Sequence, residues 1–178
     1  MKKLLLCILI IQFAAAVAFS IPGGDRKRFF LISGIGYASS HPQGLLAEAG
    51  VEVRLFGNIH TRILIDYYFG SNTRKDSQTL KHMSGITLYA VYKLQVSETI
   101  AFRLKAGGHY SRISTEMTVL GLTFTTTMAD IGYCGGGGFT WQLSNKVYLY
   151  AEAAVKHLLL DEPWTWIKGQ IGVMLRLR

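Results

Sequence analysis

Residues of a type and spacing that could do chemistry are few in this chain. His109-Tyr110-Ser111 sets a histidine two positions from a serine. On a strand such a pair shares one face, so the imidazole could take the hydroxyl proton and make a nucleophile. A third group would have to orient the imidazole, and Glu116, in a neighbouring connection, is the near candidate. It is poorly placed for that work, so a polar histidine beside a loop serine is the preferred reading and no catalytic residue is assigned. His60, His82 and His157 stand apart, without the spacing of a metal site. No metal or cofactor is expected. Gly135–Gly138 lacks the lysine and the helix that make a glycine run a phosphate loop; such glycines relieve crowding or permit a sharp bend in a strand.

The charged residues carry more information. Net charge is +8, which in a clustered form would point to nucleic acid. Here the basic residues are spread singly along apolar segments, and the chain looks exported, so no nucleic-acid partner is expected. Lys2 and Lys3 precede an apolar run from Leu4 to Phe19, with small residues before Ser20. That pattern reads as a signal peptide, residues 1–20, cut after Ala18 or Ser20, and leaves 21–178 as one domain. The run is short for a spanning helix, which needs about 20 residues. Cys134 is the one cysteine left beyond it, so no intramolecular disulfide is available and Cys134 serves as a small filler.

The elements that must position these charges are strands. Alternation with a period of two recurs in eight places, near 28–39, 44–56, 58–69, 82–94, 98–110, 128–142, 146–157 and 165–177. Tight connections at Phe56-Gly57-Asn58, Gln95-Val96-Ser97 and Leu143-Ser144-Asn145 alternate with longer ones at 39–43, 70–81, 111–127 and 158–164. Gly50–Ile59 and Gly138–Val147 repeat one pattern of glycine, alternating strand and turn asparagine, as a barrel of repeated hairpins would.

Each strand sorts into two faces. One carries no charge. The other carries Glu48, Glu52, Arg54, Arg62, Asp66, Lys93, Arg103, Lys105, Asp130, Glu152, Lys156, Lys168 and Arg176. A lipid-facing lysine or arginine at mid-bilayer costs about 2–4 kcal/mol, so a charge-free face is what lipid selects. A soluble barrel would also alternate, with its apolar face inside. Aromatics near the ends of the apolar face (Phe29, Tyr37, Tyr67, Phe69, Tyr92, Phe102, Tyr110, Trp141) favour the membrane arrangement, as interfacial girdles. The mixed signs and glycines of the other face suit a narrow interior filled by side chains.

Gly135–Gly138 with Phe139, Trp141, Leu143, Ser144-Asn145 and the alternating Val147–Val155 resembles the late hairpin of the outer-membrane β-barrel domain of opacity-type and OmpA-like proteins. Leu104-Lys105-Ala106-Gly107-Gly108-His109-Tyr110 is similar to an earlier strand of the same domain. The resemblance implies an all-β, eight-stranded antiparallel up-and-down transmembrane barrel in the outer membrane, with outer-membrane lipid and the barrel-assembly machinery as partners. The chain departs from it at the end, where Leu175-Arg176-Leu177-Arg178 replaces the aromatic residue many such barrels carry for assembly, and no second domain is expected after the barrel. His109-Tyr110-Ser111 is also similar to the His-x-Ser pair of outer-membrane lipid A deacylases, but Arg112 stands where those have asparagine and the motif ends the fifth strand, not the seventh.

The leading expectation is therefore a non-enzymatic barrel with a structural or surface-interaction role, its interior filled by paired charges. Loops 70–81 and 111–127 are the segments that would meet an extracellular ligand, and the threonines and apolar residues of 111–127 suit an extension of its hairpin beyond the membrane. Trp164 beside Leu158–Leu160 would mark an interface. A narrow conduit for small solutes, weakly anion-preferring, is the alternative; a lipid A-modifying enzyme is the third.

Overall fold

A computed structural model describes residues 29–40, 43–69, 74–75, 78–119, 122–159 and 164–177. The expected signal peptide, half of loop 70–81 (70–73 and 76–77) and Leu160 lie outside the described residues. Eight long strands form: β1 (Phe29–Ser40), β2 (Gly44–Phe56), β3 (Ile59–Phe69), β4 (Gln78–Gln95), β5 (Ile100–Val119), β6 (Leu122–Gln142), β7 (Val147–Leu158) and β8 (Trp164–Leu177). Each pairs antiparallel with its sequence neighbour, and β1 pairs with β8 to close the sheet into a barrel. Arg74–Lys75 adds a two-residue pairing against Thr79 and Gln78 at the far end of β4.

The tight turns sit at one end. There Gly57 takes a φ of 50°, a left-handed conformation open to glycine at little cost. β2 carries a register shift between Arg54 and Phe56 just before this turn, so Phe56, expected on the polar face, is exposed instead. At the opposite, loop end, β5 and β6 run past the expected strand bounds of 98–110 and 128–142, in the hairpin extension that segment 111–127 suits. Their pairing continues to Val119↔Leu122, so segment 111–127 is almost wholly a hairpin. Thr115, Thr123, Thr125, Thr126 and Thr127 explain it: β-branched residues fit a pleated surface even where no core demands it.

Burial is inverted relative to a soluble barrel. Ile35, Leu45, Ile65 and Ile171 are each at least 60% exposed on the outer wall, whereas Arg62, Asp66, Lys156 and Lys168 are wholly buried inside. The charges are the core and the aliphatics are the surface. That excludes the soluble alternative, because no water-borne protein exposes so continuous an apolar belt. On β3 the belt runs from Ile59 to Phe69, eleven residues. At about 3.3 Å per residue and a tilt of about 45°, it stands about 24 Å tall, the height of the apolar band of a transmembrane barrel. Aromatic contacts mark its edges: Phe102–Phe139 at 5.2 Å on the turn side and Tyr67–Phe69 at 5.1 Å on the loop side.

Candidate functional site: the charged lumen and the protruding sheet

Cross-strand register brings the inward charges together in tiers. Nearest the turn end, Glu52 lies directly opposite Arg62. Arg62 donates from Nε to Glu52 Oε2 and from Nη1 to Glu152 Oε2, both at 2.8 Å, and so bridges two carboxylates across the lumen. Arg103 donates to Glu52 as well, Lys105 Nζ reaches Glu152 at 2.5 Å, and His60 Nδ1 lies 3.0 Å from Glu52. One tier up, Glu48 accepts from Lys168 at 2.8 Å, Gln170 at 2.6 Å and the Tyr150 hydroxyl at 2.9 Å. Above that, Asp66 accepts from Lys156 at 2.5 Å and from Thr87 at 2.8 Å.

Glu48 and Asp66 are register partners. Like charges facing across a strand pair repel, and here each is held by a different lysine, Lys168 and Lys156. That is why four strands must meet to neutralise two carboxylates. A buried ion needs such partners because its desolvation costs several kcal/mol.

Apolar layers close both ends of this column. At the loop end Trp166 Nε1 donates to the Tyr68 hydroxyl at 3.1 Å, among Leu46, Met83, Ile113 and Leu158. At the turn end Phe30, Ile32, Tyr148 and Met174 pack together, with Phe30 edge-on to Tyr148 at 5.7 Å.

The expected interior residues divide accordingly. Glu48, Glu52, Arg62, Asp66, Arg103, Lys105, Glu152, Lys156 and Lys168 share the tiers. Asp130 is buried but turns back, accepting from the Ile131 amide at 2.7 Å. Arg54 is half-buried and donates to the Gly57 carbonyl in the turn; Lys93 lies over the Tyr148 ring, 5.6 Å from its centroid; Arg176 is half-buried at the same end. Tyr150, Gln170, Thr87, Tyr68 and Trp166 complete the lumen although charge does not mark them. Their inward parity places them in the lumen, but their partners depend on how far the strands are sheared around the barrel, which alternation does not encode. Among the described residues no cluster of three His, Cys, Asp or Glu could hold a metal ion. His109 Nδ1 lies 3.1 Å from Ser111 Oγ, and both are buried inside the lumen, with Trp166 edge-on to the imidazole at 5.6 Å. Glu116 accepts from Thr125 on the protruding hairpin instead.

Fold and surface together define an integral outer-membrane β-barrel of eight strands, the class the resemblance implied. Solved structures agree. The chain is similar to a major outer membrane protein of Thermus thermophilus (TM-score 0.70, 12% identity, 86% of this chain and 100% of that one). It is similar also to the N-terminal β-barrel domain of Pseudomonas aeruginosa OprF (TM-score 0.63, 13% identity, 87% and 100%). A third likeness is to Ail, the attachment invasion locus protein of Yersinia pestis (TM-score 0.54, 8% identity, 85% and 98%), whose structure is known also in complex with the heparin analogue sucrose octasulfate. No protein-family model and no curated protein matches the sequence.

Proposed function

We propose that this barrel is a sealed outer-membrane scaffold that presents its protruding β5–β6 sheet to the cell exterior for surface interaction. The observation that supports this is the pairing of β5 with β6 out to Val119↔Leu122, well past the belt, over a lumen filled by paired side chains. A transport route needs an open lumen, whereas display needs a rigid base and a projecting element. That Ail, a similar barrel, binds a heparin analogue lends support to an exterior ligand at segments 70–81 and 111–127. We assign no catalysis: Ser111 faces the lumen at 0% exposure, away from the lipid a membrane deacylase would have to reach. Outer-membrane lipid and the barrel-assembly machinery are the partners this reading requires. Two measurements test it. Purified barrel in planar bilayers gives no sustained openings, and cells displaying it attach to host-matrix surfaces more than cells whose barrel has 116–125 replaced by a short turn. Sustained openings, or attachment that ignores the hairpin, overturn it.

One feature favours the narrow conduit as a second reading. Arg62 Nη2, Arg103 Nε and Gln170 Oε1 are buried polar atoms without a hydrogen-bond partner on the side chains around the Glu152 carboxylate, whose own Oε1 has none either and lies 3.8 Å from Arg103 Nε. Such a cluster suits internal water. Small, weakly anion-preferring openings in the same bilayers would decide for it.

A further inference from the structure

We infer that the wall where β7, β8 and β1 meet is a binding site for one anionic phospholipid of the turn-side leaflet. An acyl chain lies in a groove of the outer wall, and the phosphate sits on Lys146 and Arg176. The inference is independent of what the exterior loops do.

A groove of about 670 Å³ opens on the outer wall, within the range of about 300–1,000 Å³ usual for clefts that hold small ligands. Ser33, Ala47 and Ala151 are its short residues, and Trp141, Leu149 and Ile171 its larger walls. Short side chains among long ones leave the depression. Its floor is the Gly34↔Gly172 register pair, where backbone separates it from the lumen. Ser33 lies four residues along β1 from Phe29, hence about 9 Å above the turn-end edge of the belt. That is below the middle of the belt, so the groove meets the hydrocarbon of one leaflet. Tight turns face the periplasm in barrels of this class, which makes it the periplasmic leaflet.

The charge lies directly below. Lys146 precedes Leu149 by three residues, as Arg176 follows Val173, and three residues of tilted strand rise about 7 Å. The Arg176 amide donates to the Lys146 carbonyl at 2.7 Å, so the two cations are cross-strand neighbours on one face. Like charges so placed repel, and neither side chain has a hydrogen bond or ion pair in the structure. Lys146 is exposed and Arg176 half-buried. Among the described residues Glu98 is the one carboxylate in the tight turns, and it lies between β4 and β5, away from this wall. Two cations without a counter-ion, at headgroup depth below an apolar groove, fit one molecule that carries both a chain and a phosphate. Net negative headgroups satisfy the pair better than zwitterionic ones. A second copy fits poorly. Copies in one membrane share an orientation, so a two-fold axis between them runs along the membrane normal. Docking by this wall would set Lys146 and Arg176 of both copies at one height, four cations together.

The test is native mass spectrometry of the folded full barrel with phosphatidylglycerol or phosphatidylcholine of identical chains. The expected result is one phosphatidylglycerol held at saturation, at least about tenfold tighter than phosphatidylcholine, the scale of two cations at an anionic surface. Lys146→Gln/Arg176→Gln should erase that preference and leave both lipids at the weaker affinity. Ser33→Phe should fill the groove and weaken both lipids by about tenfold or more. Retained heat-modifiability on a denaturing gel shows that each variant folds, and Ala47→Leu replaces Ser33→Phe if that one does not. No saturable lipid, an unchanged preference in the cation variant, or unchanged binding in the groove variant overturns the proposal. A dimer in place of bound lipid does so too. Inorganic phosphate binding as tightly as the lipid would make the occupant a free anion, and likewise overturns it.

Discussion

At the scale of single residues, the lumen shows what alternation can and cannot announce. Parity alone sends Asp66 and Lys156 inward, but their 2.5 Å contact joins strands separated by 90 residues and depends on how the barrel closes. Removing one partner of a buried pair leaves an uncompensated charge, which costs about 3–5 kcal/mol, whereas replacing both by apolar groups is often neutral. Lys156→Met is therefore expected to lower stability in that range, since among the described residues Thr87 is the one hydrogen-bond donor left to the Asp66 side chain. Asp66→Leu with Lys156→Met should recover most of the loss. Urea unfolding in lipid vesicles, followed by tryptophan fluorescence, measures both. If the double variant is as unstable as the single one, the pair does more than neutralise itself. Glu48 is a harder position to replace, because Lys168, Gln170 and Tyr150 all converge on it.

At the scale of elements, the sequence showed eight strands and their order, and three turn positions, because period-two alternation and turn chemistry are local. It placed β5 and β6 short, ending near 110 and starting near 128, because the hydrophobic signal stops where lipid stops. Beyond the belt the pairing of 111–127 rests on β-branched threonines and no longer on a buried face. The glycine run reads differently once the strands are in place. A Cβ on Gly136 or Gly138 would strike the carbonyl oxygens of Ala153 or Ala151, whereas one on Gly135 meets only the Lys105 carbonyl oxygen at 3.6 Å. Inward glycines are thus demanded by the close approach of β6 and β7, while Gly135 is not. Gly138→Ala should cost about 1–3 kcal/mol, the usual range for overpacking, and Gly135→Ala should fall within about 0.5 kcal/mol of the parent. Unfolding curves for the two variants decide it, and equal costs would mean that the strand can shift to accommodate either.

At the scale of the whole molecule, the inverted burial makes the two faces answer differently to the same change. Ile171→Arg, on a residue 60% exposed near the middle of the belt, should cost about 2–4 kcal/mol in a bilayer. The seal of the lumen is a property of the column as a whole. Charged tiers lie between a Trp166–Tyr68 cap and a Phe30–Tyr148 base, and barriers in series add. Replacing Glu52, Arg62, Arg103 and Glu152 by serine removes two charges of each sign and leaves both apolar layers standing. That variant is expected to stay closed in planar bilayers. Adding Trp166→Ala and Phe30→Ala removes the remaining barriers, and sustained openings should then appear. Conduction by the four-serine variant alone would locate the whole seal in the charged tiers. Closure of the six-site variant, with heat-modifiability intact, would mean that neighbouring tyrosines collapse into the space.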